Sequence, residues 1–176
     1  MKNKPGIKKL VVLFPIGGTV VFVGLYIIAT FYYPGGSQHD PTSHGFSWAH
    51  NYWCNLLNEI AINGTYNPAR PFALAAMLVL CISLAIFWYQ FPIITSLYKP
   101  LRLLMQIAGS LSMITGFFLF TSQHDFMVNI ANLFGLIATA ITLFRMYQLK
   151  WTGLFRMGIF NAGLVLLNNI LYYGNG

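Results

Sequence analysis

Charged residues are scarce in this sequence, and their scarcity excludes several classes of protein. Only 7% of the 176 residues are charged and three are acidic, whereas a soluble domain carries roughly 25% charged residues. No lysine lies inside the long apolar runs, which excludes a retinal Schiff base, and no acidic residue lies there, which argues against a proton-relay pump or a cation-coupled transporter. No histidine lies in the middle of these runs, which argues against a b-type haem, and no glycine-rich phosphate-binding motif occurs.

Cysteine is also rare. The two cysteines do not amount to a disulfide framework. Cys81 lies within an apolar run and is predicted to belong to the core, whereas Cys54 lies in a long connection between runs. We therefore do not predict a disulfide bridge between them.

Apolar residues are abundant, and they fall into five long segments. They make up 57% of the chain, and each segment is close to the roughly 20 residues that a helix needs to cross about 30 Å of hydrocarbon. Segments of this length should be helical because unpaired backbone groups are costly in lipid. We predict an all-α, polytopic transmembrane bundle that forms a single integral membrane domain over 1–176, with a sixth span if the chain continues. The predicted spans are about 10–33, 71–91, 103–121, 126–144 and 152–173, and the long outer loop is 34–70.

The basic residues predict the orientation of these spans. They lie beside the ends of the apolar runs, where the positive-inside rule places them on the cytoplasmic side together with the N-terminus. Because they do not form one basic face, we expect no nucleic-acid partner. Trp48 and Trp53 are predicted at the outer interface, and Trp88 and Trp151 at the inner one. Arg70 is the exception among the ten basic residues, and the predicted cytoplasmic set is Lys2, Lys4, Lys8, Lys9, Lys99, Arg102, Arg145, Lys150 and Arg156.

The outer loop is predicted to be structured. It is too long for an unstructured connection and too aromatic for a disordered one. Its segment 47–62 reads as an amphipathic helix lying in the membrane interface, with Trp53 and Leu56 on its apolar face. His50 and Cys54, four residues apart, would then be neighbours on one helical face.

All three acidic residues and all four histidines fall on the predicted outer side. Together with nearby polar residues they indicate an outward-facing polar vestibule capped by the loop. The asymmetry directs the search for function to the outer loop. The candidate vestibule residues are His39, Asp40, His44, His50, Cys54, Glu59, Arg70, His124, Asp125 and Asn129.

Two interpretations of this set are open. Zinc takes histidine, cysteine and carboxylate ligands, so the set is compatible with a metal or hydrolytic site, although its spacing matches no known motif. Alternatively, these side chains solvate the outer surface and hydrogen-bond the loop. The candidate metal ligands are His39, His44, His50, His124 and Asp125.

Some local roles can be predicted more closely. Asp125 is placed to cap the fourth span and complement its dipole, and Arg70 to bind an acidic loop residue or a lipid phosphate. Small residues in the third span, such as Gly109 and Ser112, would let neighbouring helices approach closely. Polar groups at membrane depth are costly unless paired, so the asparagines of the last two spans should face the bundle or a wet cavity. These asparagines are Asn129, Asn132, Asn161, Asn168 and Asn169.

Several strings in the outer half resemble a family of small bacterial membrane proteins known as domain of unknown function 998. The resemblance extends to His124-Asp125 and covers most of the chain. This family is similar in layout to the Frag/DRAM/Sfk membrane proteins, some of which act on lipids or lipid anchors. The resemblance implies a compact helical bundle, usually of six spans, in the bacterial inner membrane, and it implies no catalytic residues. The matching strings are Tyr33-Pro34-Gly35-Gly36-Ser37, Gly45-Phe46-Ser47-Trp48, 51–57 and Asn67-Pro68-Ala69-Arg70-Pro71.

Two functions follow as expectations. The first is a non-enzymatic membrane protein that binds lipids or serves as a subunit of a membrane complex. The second is a membrane-embedded hydrolase or lipid-modifying enzyme that uses the outer histidine and aspartate residues, with or without a metal. The expected partners are membrane lipids and either further copies of the chain, as a homo-oligomer, or other members of a membrane complex.

Overall fold

The structure, a computed structural model, is a bundle of five long α-helices. It describes residues 5–121 and 123–174, so Lys2 and Lys4 of the predicted topology signals lie outside the described residues. Two short 3₁₀ helices, Trp53–Leu57 and Phe118–Phe120, lie in the connections. The α-helices are α1 Pro5–Tyr32, α2 Arg70–Ile94, α3 Lys99–Phe117, α4 His124–Gln148 and α5 Thr152–Gly174.

The predicted fold class is confirmed. All five helices are long and apolar enough to cross a membrane, with a mean hydropathy of 1.4 to 2.4 over their apolar segments. The part of the chain that the structure describes has no β-strand, only two isolated β-bridges. The fold is therefore consistent with an integral membrane protein that passes the bilayer several times.

The two ends of the bundle differ in their connections. We call the end that carries residues 34–70 and the α3–α4 connection the loop end, and the end that carries residues 95–98 and 149–151 the turn end. At the turn end, the Arg145 guanidinium donates hydrogen bonds to the carbonyls of Thr95 and Ser96, which satisfies acceptors left free where α2 stops. The first four helices pack in chain order, each against the next.

Small residues let these helices approach closely, as predicted for α3. A Cβ atom at Gly109 would lie 2.5 Å from the side chain of Trp88, so this glycine admits the tryptophan of α2. Ser112 donates a hydrogen bond of 2.8 Å to the carbonyl of Ala131 in α4. Trp88 is consequently only 9% exposed, so its ring packs inside the bundle at Gly109 and does not face outwards. Its level at the inner interface stays a prediction.

Buried side chains form two clusters. At the loop end, α1 and α2 pack with the loop around Tyr26, Tyr33 and Leu56. Towards the turn end, α2, α3 and α4 pack around Trp88 and Met105. α5 belongs to neither cluster and has no buried residue from Thr152 to Leu171, which leaves it as the outermost helix.

The predicted amphipathic helix over 47–62 is wrong. The loop contains only the five-residue 3₁₀ helix Trp53–Leu57. Asparagine side chains explain the difference: Asn51 Oδ1 accepts the Ser47 N–H at 2.8 Å, and Asn55 Oδ1 accepts the Tyr52 N–H at 2.7 Å. Side-chain acceptors of this kind compete with the helical hydrogen-bond ladder and favour turns.

Candidate functional site

The histidines and the aspartate of the loop are engaged mainly with the loop itself. The rings of His39 and His50 stack with their centroids 5.1 Å apart. Asp40 accepts hydrogen bonds from the Thr42 hydroxyl at 2.7 Å and the Thr42 N–H at 2.9 Å, and these bonds lower the pKa of the Asp40 carboxyl. His44 is exposed, and its backbone forms an isolated β-bridge. These contacts shape the loop surface.

Arg70 has taken an acidic loop residue as its partner. Its Nη1 lies 3.3 Å from Glu59 Oε2. This confirms an acidic loop residue, one of the two predicted partners. Arg70 opens α2, and the proline that follows it lies in the first turn, where a missing N–H costs nothing. The ion pair therefore ties the end of the loop to the start of a helix.

Deeper contacts fix the loop on the bundle. The side chain of Asn67 is fully buried and donates to the carbonyl of Asn58 at 2.9 Å, while its oxygen accepts the Ala69 N–H at 3.1 Å. The Tyr33 hydroxyl accepts the Ile62 N–H at 3.1 Å. These bonds join distant parts of the loop, so its fold is held by internal hydrogen bonds.

Trp53 carries the loop towards the centre of the loop end. Its ring stacks on Tyr26 of α1 with centroids 5.0 Å apart, and Trp48 meets it edge-on at 6.3 Å. This stacking fixes the start of the 3₁₀ helix against α1. Cys54, the next residue, consequently faces the same space as the first turn of α4.

At this point three elements enclose a pocket of about 310 Å³, which we call the loop-end pocket. It brings together three of the predicted site residues, namely Cys54, His124 and Asp125. Asn168 and Asn169, which were predicted to face the bundle or a wet cavity, also line this pocket although they were not among the predicted site residues. The full lining is Tyr52, Trp53, Cys54, His124, Asp125, Val128, Asn168 and Asn169.

Polar side chains form part of the lining of the loop-end pocket, beside apolar and aromatic ones. His124 Nδ1 lies 3.2 Å from Asp125 Oδ1. The predicted capping role of Asp125 is wrong, because Gln123 is the N-cap and the Asp125 carboxylate turns to the neighbouring imidazole. Its place in the first turn of α4, where a carboxylate complements the helix dipole, is confirmed. Burial raises the pKa of the Cys54 thiol, although the N–H groups of Cys54 and Asn55 act in the opposite direction. A thiol held in its protonated form is a poor nucleophile.

A second and larger cavity lies within the bundle, between α2, α3, α4 and α5. This helical cleft has a volume of about 530 Å³, and most of its lining is apolar. Leu136 and Val165 line it while being 60% and 52% exposed, so the cleft opens sideways at the surface of the bundle. Asn132 and Asn161 also line it, which confirms that these asparagines face a cavity.

The two cavities share the same faces of α4 and α5. On α4, Val128 lines the loop-end pocket and Ala131, one turn further, lines the helical cleft. On α5, Asn168 lines the pocket and Val165 lines the cleft. Residues three apart on a helix point the same way. We call this shared pair of faces the α4–α5 seam.

Asn132, which lines the helical cleft, lies close to the level of the loop-end pocket. Gly158 of α5 lies against the side chain of Leu143 in α4, and the two helices run in opposite directions. Asn169 and Asn132 are each eleven residues from that contact towards the loop end, so they lie at a similar level. Within the described chain, none of Asn132, Asn161, Asn168 and Asn169 has a side-chain hydrogen bond.

The remaining candidates do not converge. Asn129 lies exposed near the loop end of α4 and does not line the loop-end pocket. Over residues 5–121 and 123–174, no three histidine, cysteine, aspartate or glutamate side chains lie close enough to hold a metal ion. The five candidate metal ligands divide between the His39–His50 stack, exposed His44 and the His124–Asp125 pair. The zinc hypothesis thus has no geometric support in this part of the chain.

Comparison with protein families, with characterised proteins and with solved structures gave no match to this chain.

Proposed function

We propose that this protein binds a membrane lipid in the α4–α5 seam, with the acyl chain in the helical cleft and the headgroup in the loop-end pocket. The observation that carries the proposal is the alignment, along the same two helix faces, of a large apolar cavity with a pocket that holds several polar side chains. A lipid has the same division between an apolar chain and a polar head. The loop end would accordingly face outwards.

The length of the seam suits an acyl chain. Val128 and Met146, which line its two extremes on α4, are eighteen residues apart, or about 27 Å at 1.5 Å per residue. One leaflet of hydrocarbon is about 15 Å deep, half of the bilayer core. On α4 the cleft itself extends from Ala131 to Met146, fifteen residues or about 22 Å, so it is long enough for a whole chain.

The sideways opening supplies a route of entry. Because Leu136 and Val165 border the cleft and are exposed, a lipid can enter from the surrounding bilayer without crossing the loop. The weak packing of α5, which has no buried residue from Thr152 to Leu171, makes this side the least closed part of the bundle. The loop then needs only to receive the headgroup.

Native mass spectrometry of the protein released from micelles tests the proposal. Thr139→Trp would place an indole inside the cleft, whereas Ala140→Trp, on the adjacent exposed position of the same helix, would not. We expect the wild-type protein and Ala140→Trp to retain lipid at one equivalent, and Thr139→Trp to retain at least tenfold less. Equal retention by both variants would refute the proposal.

A second candidate function, a lipid-modifying or hydrolytic enzyme, has one observation in its favour. Cys54, His124 and Asp125, a nucleophile, a base and a carboxylate, line one pocket. The raised pKa of the Cys54 thiol disfavours nucleophilic attack, so binding is the better-supported function. Cys54→Ser should retain lipid as the wild type does. Turnover of a bound ester lipid that is lost in both Cys54→Ser and His124→Ala would favour the enzyme instead.

The membrane orientation belongs to the same proposal. In a background with Cys54→Ser and Cys81→Ala, Asp40→Cys should react with an impermeant maleimide added outside cells, and Lys99→Cys only after permeabilisation. The reverse pattern would place the loop end in the cytoplasm. The location in a bacterial inner membrane and the resemblance to domain of unknown function 998 are proposals at the same level.

A further inference from the structure

We infer that the loop-end pocket recognises an uncharged, hydroxyl-bearing headgroup, such as a single sugar carried by a diacylglycerol. The inference rests on the proposed function, because the headgroup belongs to the lipid whose chain would lie in the helical cleft. It adds the chemical class of the ligand, which the shape of the cleft alone does not give.

The hydrogen-bonding capacity of the pocket matches hydroxyl groups. Asn168 and Asn169 each present a carbonyl acceptor and two N–H donors, and neither side chain has a hydrogen bond within the described chain. A hydroxyl group donates one hydrogen bond and accepts others, so it can use both functions of a carboxamide. The Asp125 carboxylate, with its side chain 72% exposed, adds a further acceptor.

The charge of the pocket argues against a phosphate headgroup. Among the described residues that line the pocket there is no lysine or arginine, the side chains that bind phosphate in proteins. The Asp125 carboxylate would repel a phosphate instead. Arg70, a cation elsewhere at the loop end, is paired with Glu59 and does not line the pocket.

The aromatic residues argue against an ammonium headgroup. Recognition of such a cation usually relies on the open faces of several aromatic rings. Two aromatic residues line the pocket, and Trp53 is already engaged by Tyr26, stacked at 5.0 Å, and by Trp48, edge-on at 6.3 Å. Tyr52 is then the single ring with an open face, whereas such recognition needs several. The carboxylate that would attract the cation lies 3.2 Å from the imidazole of His124. The geometry therefore favours a neutral polyol over a cation.

Asn132 adds a hydrogen-bonding group on the opposite helix. This side chain lines the helical cleft and lies level with Asn169, at the cleft side of the pocket. In a diacyl lipid, the ester carbonyls lie between the headgroup and the chains and only accept hydrogen bonds. The amide N–H₂ of Asn132 is placed to donate to one of them.

The test is a competition between lipids that share acyl chains and differ in headgroup. The purified full chain is incubated with equal amounts of monoglucosyl diacylglycerol, phosphatidylglycerol and phosphatidylethanolamine, and the retained lipid is identified by native mass spectrometry. We expect the glucolipid to be retained about tenfold over either phospholipid. In the double variant Asn168→Leu and Asn169→Leu, total lipid retention should persist while the preference falls to less than twofold.

Asn129→Leu is the matched control, since it replaces an asparagine at the loop end of α4 that does not line the pocket, and it should keep the preference. Equal retention of all three lipids by the wild type, or preference for either phospholipid, would overturn the inference and leave the proposed function standing. A preference that survives in the double variant would also overturn it. Failure of the wild type to retain any lipid would refute the proposed function itself.

Discussion

The loop and the α4–α5 seam are both rich in polar side chains, but they use them in opposite ways. In the loop, Asn67 is fully buried and its amide is hydrogen-bonded on both sides, and Asp40 is bonded to its own turn. In the seam, Asn168 and Asn169 line a pocket and have no side-chain hydrogen bond within the described chain. The loop polar groups serve folding, and those of the seam are available to a ligand.

This difference changes where function should be sought. The distribution of histidines and acids directed attention to the loop alone, whereas the structure assigns much of that set to local contacts such as the His39–His50 stack. The loop contributes one wall of the loop-end pocket, and its other walls are helices. A polar residue is thus more informative when its own chain leaves it unpaired than when it is merely reactive.

We expect the largest loss of stability from a substitution of Asn67. Asn67→Ala removes a buried donor and acceptor and leaves several loop groups unpaired, which should lower the free energy of unfolding by about 3 kcal/mol. Thermal unfolding in micelles, followed by tryptophan fluorescence, should show a midpoint lower by roughly 6–12 °C. Asn168→Ala, in the seam, should change stability by less than about 0.5 kcal/mol. Similar losses in both variants would remove the distinction between the two regions.

Two glycines of α3 allow the effect of an added methyl group to be compared between a packed and an open surface. A Cβ atom at Gly109 would meet Trp88 at 2.5 Å, whereas Gly116, which lines the helical cleft, has nothing within 4 Å. Gly109→Ala should therefore destabilise the bundle by about 2 kcal/mol through overpacking. Gly116→Ala should be neutral or stabilising by up to about 1 kcal/mol, since alanine favours the helix. Equal unfolding midpoints for the two variants would mean that the cleft is as tightly packed as the α2–α3 contact.

The smallest expected effect is on the titration of Asp40 in the loop. Because the pKa of Asp40 is lowered in the folded protein, its contribution to stability is present above the ordinary aspartate pKa of about 3.9 and is lost as the pH falls through the lowered value. Thr42→Val removes the hydroxyl donor and should raise the pKa of Asp40 towards its ordinary value. The sequence has two aspartates, so a spectrum of the ¹³C-aspartate carboxyls can follow Asp40 directly, with the Asp125 signal as the internal control. An unchanged Asp40 titration would show that the Thr42 hydroxyl does not hold the carboxylate.

Much of the fold could be predicted from the sequence, because apolar length is a strong signal in lipid. Each of the five predicted spans corresponds to one long helix, and the predicted start of the second span at residue 71 is one residue from the start of α2 at Arg70. The loop helix was mispredicted because the apolar spacing of 47–62 outweighed Asn51 and Asn55, whose side chains take backbone partners. The burial of Trp88 was not predicted because it depends on the gap that Gly109 leaves in a neighbouring helix.

The candidate site could be predicted only in part. Cys54, His124 and Asp125 were identified by residue type, and the structure brings them to one pocket. Asn168 and Asn169 were recognised as polar residues at membrane depth, but their membership of that pocket depends on how α5 lies against α4. One sequence signal bears on their position. They lie three and four residues from Val165, so all three share one face of the helix.

Lipid binding in the α4–α5 seam can be tested by photo-crosslinking with a diacyl lipid that carries a diazirine in the middle of one chain. We expect adducts, mapped by peptide mass spectrometry, to concentrate on seam residues such as Thr139 and Asn161 and to disappear from them in Thr139→Trp. Adducts on the exposed residues of α1, such as Val20 and Ile27, should be few and unaffected by that substitution. Adducts spread evenly over all exposed helix surfaces, and unchanged in Thr139→Trp, would contradict lipid binding in the α4–α5 seam.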